Sequence, residues 1–98
     1  MRVVFRPEAR NELLAAQAWY ESRAAGLGLE FARVVDAAVA SASRSSNAFA
    51  QIAGNCRRIL LRKFPFSLVF RVRGDELLVL AIFHHRRNPL ELTQRTGR

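Results

Sequence analysis

Phe66-Ser67-Leu68-Val69-Phe70-Arg71-Val72-Arg73 is followed by Gly74-Asp75 and then by Glu76-Leu77-Leu78-Val79-Leu80-Ala81-Ile82-Phe83-His84. The first run alternates. Phe66, Leu68, Phe70 and Val72 fall on one face, and Ser67, Val69, Arg71 and Arg73 on the other, which is the period of a half-buried strand. Gly74-Asp75 is a hairpin turn signal. The second run is apolar on both faces, as a strand covered from both sides should be. Upstream, Cys56 to Phe64 places Ile59 and Leu61 on one face and Arg58 and Arg62 on the other, until Pro65 breaks it. Three consecutive strands therefore fill the second half of the chain.

The first half reads as helix after one short strand. Arg2 to Arg6 is extended and stops at Pro7, a residue suited to the first turn of a helix, where its missing N–H costs nothing. Ala9, Leu13, Ala16 and Tyr20 then recur at helical spacing through Arg23, with Gly26 placed to take a left-handed cap. Leu27, Phe31, Val34, Val35, Ala38 and Ala42 form the stripe of a second helix, Leu27 to Arg44. Trp19 and Tyr20 read as helix-packing core residues. Ser45 to Asn55 is a polar turn region, and Leu90 to Arg95 a last turn of helix. The order is β-α-α-β-β-β. It defines one α+β domain over residues 1–98, with a two-helix hairpin packed on one face of an antiparallel sheet.

Composition narrows the partners. The net charge is +8, and it is uneven. Residues 1–54 hold six arginines against five acids, whereas residues 55–98 hold nine arginines and Lys63 against three acids. Arginine forms bidentate pairs with phosphate and carboxylate, so an acidic partner is expected, either nucleic acid or an acidic protein segment. Arg58, Arg62 and Arg71 fall opposite their strands' core residues and should build a basic surface on the sheet face away from the helices. The lone Cys56 reads as a small buried apolar residue. The acids, Cys and His show no ligand spacing, so no metal or cofactor is expected. No apolar leader or membrane-length run is visible, and a cytoplasmic location is expected.

Two stretches carry a resemblance. Arg57-Arg58 leads a strand into Phe64-Pro65-Phe66, and a later strand ends in His84-His85-Arg86-Arg87-Asn88-Pro89. With Pro7-Glu8-Ala9 opening the first helix, Trp19-Tyr20 near its end, and Gly26-Leu27-Gly28 before Phe31, this ordered set resembles the RelE/ParE toxin superfamily of type II toxin–antitoxin systems, the plasmid-stabilisation toxins, across essentially the whole chain. The resemblance implies a growth-inhibiting toxin held inactive by a cognate antitoxin in a hetero-oligomer. The antitoxin is expected to present an acidic, partly disordered segment that folds on binding, packs across the helices and reaches the basic sheet. It implies one of two targets: DNA gyrase for ParE-like members, or mRNA in the ribosomal A site for RelE-like endoribonucleases.

The Phe-Pro-aromatic and His-x-Arg-Arg-x-Pro motifs look closer to the ParE-like side. RNA cleavage needs a base, an acid and cations around the phosphate. The resemblance to RelE-like members would imply a C-terminal aromatic hydroxyl, but no tyrosine follows Tyr20 and positions 90–92 read Leu-Glu-Leu. His84 and His85 are adjacent on a strand and should point to opposite faces, His84 with Leu78, Leu80 and Ile82, and His85 with Val79, Ala81 and Phe83. Each histidine is either a strand-end structural residue or a titrating group. Arg86 and Arg87 are either target contacts or structural partners of a loop. The contact candidates are thus Arg58, Arg62, Arg71, His84, Arg86 and Arg87. A basic nucleic-acid-binding domain or a decayed toxin stays as the further alternative.

Overall fold

The computed structural model describes residues 1–96. A short strand β1 (Arg2–Phe5) leads into helix α1 (Pro7–Arg23) and helix α2 (Leu27–Ser45). A single 3-10 turn (Ser46–Ala48) and a two-residue strand β2 (Ala50–Gln51) follow. The chain then runs through β3 (Cys56–Leu60), β4 (Phe66–Arg73), β5 (Glu76–His84) and helix α3 (Pro89–Thr96). The β-α-α-β-β-β order holds, with β2 added inside the polar region where no strand was expected.

The sheet order is β1-β5-β4-β3-β2. The β2–β3, β3–β4 and β4–β5 pairs are antiparallel, but β1 lies parallel to β5, from Arg2 opposite Glu76 to Phe5 opposite Val79. The expected purely antiparallel sheet is therefore a mixed one. Its reason is non-local: parallel neighbours need a long crossover, here most of the chain, and no local pattern reveals which edge a first strand will join.

Both helices pack on one face of the sheet. Ala9, Ala16, Phe31, Val35, Ala38 and Ala42 meet Leu68, Phe70, Leu77, Val79 and Ile82 in one core. The aromatic rings of Tyr20, Phe31, Phe64 and Phe66 close its end, with neighbouring centroids 4.7–5.3 Å apart. The Phe64-Pro65-Phe66 turn thus packs against the connected end of the helical hairpin, where α1 turns into α2. Trp19 differs from its expected core role: it is 52% exposed, edge-on to Tyr20, with the Arg23 guanidinium 4.4 Å above its ring.

The opposite sheet face has its own smaller core of Cys56, Val69, Leu78, Leu80, Ala81 and Phe83, partly covered by Leu92 of α3. This face exposes a correction. A bulge shifts the β4–β5 register, because Val69 pairs with Ala81 but Phe70 pairs with Val79. Leu80 is the extra residue, and it lies on the same side as Ala81. His84 consequently shares the helix face with Ile82 but not with Leu78 or Leu80. His85 shares the other face with Ala81 and Phe83 but not with Val79. One inserted residue inverts the alternation on either side of itself.

The helices cross closely because Gly28 lacks a side chain. A Cβ there would meet the Gln17 carbonyl oxygen at 2.6 Å. Glu21 of α1 accepts the N–H groups of Gly26 and Gly28, each at 2.9 Å, and so caps α2 from the preceding helix. Gly26 sits at φ 88, which favours glycine. Gly28→Ala should destabilise the fold by about 1–3 kcal/mol, because overpacking outweighs the gain in helix propensity of about 1 kcal/mol. Urea denaturation checks it, and an unchanged or raised midpoint would count against the close crossing.

Candidate functional site

The structure distributes the six expected contact residues over three places. Arg58 projects from β3 on the face away from the helices and is exposed. Arg71 of β4 lies on the same face, half-buried, with its Cα opposite that of Cys56. Arg62 does not share their frame: β3 ends at Leu60, which leaves Arg62 exposed in the connection to β4. Arg73 of β4 and Arg6, whose backbone continues extended after β1, join Arg58 and Arg71 on this face. Arg6 and Arg71 both act electrostatically on the Cys56 thiol. Burial pushes that thiol above its ordinary pKa, and the two cations pull against it. The thiol is fully buried and stays protonated at neutral pH.

His84, Arg86 and Arg87 lie in the tail of β5 and the turn that follows. His84 Nδ1 accepts the Arg86 N–H at 3.0 Å, and its ring sits edge-on to Phe66 at 4.9 Å. That acceptor role assigns the Nε2–H tautomer to the neutral ring. His84 lines a largely apolar cleft of about 530 Å³ between α1 and the β4–β5 end, with Ala15, Trp19, Tyr20, Pro65 and Ile82. Burial raises the Tyr20 phenol above its ordinary pKa, so no phenolate is offered there near neutrality. His85 is on the other side of the sheet, with Nε2 3.0 Å from Ser67 Oγ. The two histidines therefore open onto different surfaces. Arg86 is exposed.

Arg87 is held in the structure. It pairs with Glu12 and with Glu91, and its guanidinium lies 4.6 Å above the Phe83 ring. Burial works against its charge, but hydrogen bonds to Glu91 and Glu12 outweigh this and raise its pKa. Glu12 was not among the expected site residues. Its Oε1 accepts the Ile82 N–H at 3.0 Å and Arg95 Nη1 at 2.8 Å, while Oε2 accepts Arg87 Nη1. Arg95 also donates to the Leu80 carbonyl at 3.3 Å. The signal was in the sequence. Glu12 stands three residues after Ala9 and four before Ala16, an acid set on an apolar stripe, and a carboxylate there must be paired. Arg73 and Arg95 carried no comparable signal of their own.

Among the described residues no group of three or more His, Cys, Asp or Glu side chains could hold a metal ion. No helix among them is long and apolar enough to cross a membrane. The arrangement offers charged recognition on one sheet face and an apolar cleft on the helix side.

Residues 3–89 match the family model of the ParE toxin of type II toxin–antitoxin systems of the parDE kind. That match spans most of the chain, and the protein belongs to the ParE toxin family. A solved structure described as the chromosomal ParDE toxin–antitoxin system from P. aeruginosa contains a similar chain, at 25% identity and a TM-score of 0.71. The similarity covers 86% of this chain and 95% of that one. No curated protein matches the sequence.

Glu12→Ala should cost about 3–5 kcal/mol, since it strips two partly buried arginines and a strand-edge N–H of their acceptor. Glu12→Gln keeps a neutral acceptor for Ile82 and should cost less. Chemical denaturation of the two variants measures both, and a loss below about 1 kcal/mol for the alanine variant would place Glu12 among ordinary surface ion pairs.

Proposed function

We propose that this protein is the toxin of a type II pair, that it acts by binding DNA gyrase in the cytoplasm, and that a cognate antitoxin neutralises it. Family membership supports the toxin reading. The observation that carries the binding mode, rather than RNA cleavage, is the separation of the histidines. Cleavage through the 2′-OH calls for a base and an acid flanking one phosphate, with cations to hold the charge. His84 faces the helix-side cleft, His85 faces the basic sheet, and Arg87 has its charge matched by Glu12 and Glu91. The arginine face then serves recognition: Arg58 and Arg71 meet the acidic antitoxin segment, while the cleft beside His84, with Arg86 and Arg62 on exposed turns nearby in sequence, is left for the target.

The RelE-like endoribonuclease reading draws on one specific feature, the placement of His85 on the same face as Arg58 and Arg71. It makes a different forecast for one substitution. His85→Ala should leave growth arrest intact if the toxin binds gyrase, and should abolish it if His85 shuttles the proton.

Purified toxin should inhibit gyrase supercoiling in a dose-dependent manner, and the antitoxin should restore it. Unchanged supercoiling at saturating toxin, together with new mRNA 5′ ends after induction, would replace the gyrase reading by the nuclease one.

A further inference from the structure

The sheet face away from the helices has a regular layout along its strands. The register places Leu60, Ser67 and Phe83 on one level. Arg58, Val69 and Ala81 form the next, then Cys56, Arg71, Leu78 and Val4, then Arg73, Glu76 and Arg2. Successive levels are two residues apart, about 6.7 Å in an antiparallel sheet. Along β3 and β4 the levels therefore present an apolar step followed by three steps that each carry an arginine, Arg58 on β3 and then Arg71 and Arg73 on the adjacent β4.

The apolar step is a cleft. Leu60 is 60% exposed at its mouth, and Phe83, Pro89 and Leu92 line it, with a volume of about 350 Å³. Helix α3 forms one wall, held by the Arg95–Glu12 and Arg87–Glu91 pairs. The arginine steps are Arg58, Arg71 and Arg73. Arg6 flanks them, and its buried Nε has no hydrogen-bond partner among the described residues. Among the described strand residues on this face, the one carboxylate is Glu76, paired with Arg2.

We infer that this face is a docking strip for an extended peptide segment in which one apolar side chain is followed by carboxylates at every second position. Side chains on one face of an extended chain repeat every two residues, at the same spacing as the levels. The apolar side chain enters the cleft at Leu60 and Phe83, and the carboxylates meet Arg58, Arg71 and Arg73 in turn through charge-assisted hydrogen bonds. The inference rests on the toxin reading, since it names the chemistry of the antitoxin segment that would reach this face. A peptide fits better than a single-stranded nucleic acid. Bases bind such grooves by stacking on exposed aromatic rings. Phe83 is buried here under the Arg87 guanidinium, while Trp19 and Tyr20 line the helix-side cleft.

The test uses the full chain and a labelled synthetic peptide, Leu-Ser-Glu-Ser-Glu-Ser-Glu, in a fluorescence anisotropy titration. Its comparators are an isomer with the three glutamates contiguous, the same peptide with alanine for leucine, and a ten-nucleotide oligothymidylate. The alternating peptide should bind about tenfold more tightly than its contiguous isomer, and lose a similar factor with alanine for leucine. The Arg58→Glu/Arg73→Glu variant changes two exposed positions and should keep its melting temperature. It should lose about tenfold in affinity at low salt and less at roughly 0.5 M salt. Equal binding of the two isomers, tighter binding of the oligothymidylate, or undiminished binding by the variant would each overturn the strip. Neither gyrase nor antitoxin enters the assay, so its failure leaves the toxin reading to the supercoiling measurement.

Discussion

A carboxylate at the bare edge of β5 is the constraint on which the rest of the molecule depends. β1 pairs with β5 only as far as Val79, so the edge beyond it has no strand neighbour on that side. Glu12 takes the place of the missing strand, accepting the Ile82 N–H from the side of α1. A backbone donor at such a position must find an acceptor, and an unpaired edge also invites another chain. The same carboxylate draws in Arg87 from the turn after β5 and Arg95 from the last helix. Three neighbouring segments, 70 to 83 residues beyond Glu12, thus converge on its side chain.

That convergence positions both candidate surfaces. Arg95 and Arg87 fix α3 over the second sheet face, so Leu92 covers part of the small core and walls the cleft beside Phe83. On the other side, Glu12 and Arg87 stand at the rim of the apolar cleft that His84 lines. One ionic centre therefore frames both candidate surfaces, and it explains why the His-His-Arg-Arg-Asn-Pro stretch contains an arginine devoted to structure next to one left exposed. Arg86 gives its backbone N–H to His84, while Arg87 gives its side chain to the centre.

Much of the fold was legible because it is local. The helical stripes and the clean alternation of Phe66 to Arg73 each follow from spacing within a few residues, and each matches the structure; Gly26 is left-handed as expected, but it caps the start of α2, while an extended Ala24 ends α1. The unread parts are the non-local ones. β1 chooses a partner that begins 74 residues later. The Leu80 bulge was hidden because Leu77 to Phe83 is apolar throughout, so a phase shift leaves no polar residue out of place. It reassigned the faces of the strand, yet the two histidines still ended on opposite sides because they follow the bulge together. At the site, Arg58 and Arg71 were placed by alternation alone, whereas Arg62 fell outside the strand once the Phe64-Pro65-Phe66 turn closed early. Glu12 was legible as a misplaced acid, but its partners were not, since they lie 70 residues or more away.

Amide hydrogen exchange at Ile82 tests this account most directly. If Glu12 acts as the absent strand neighbour, the Ile82 amide should be protected to within about 1 kcal/mol of the global stability, like the paired amides of β4 and β5. Exchange of Ile82 at the rate of an open sheet edge, with the β4 amides still protected, would contradict it and leave α3 and the cleft it walls without their anchor.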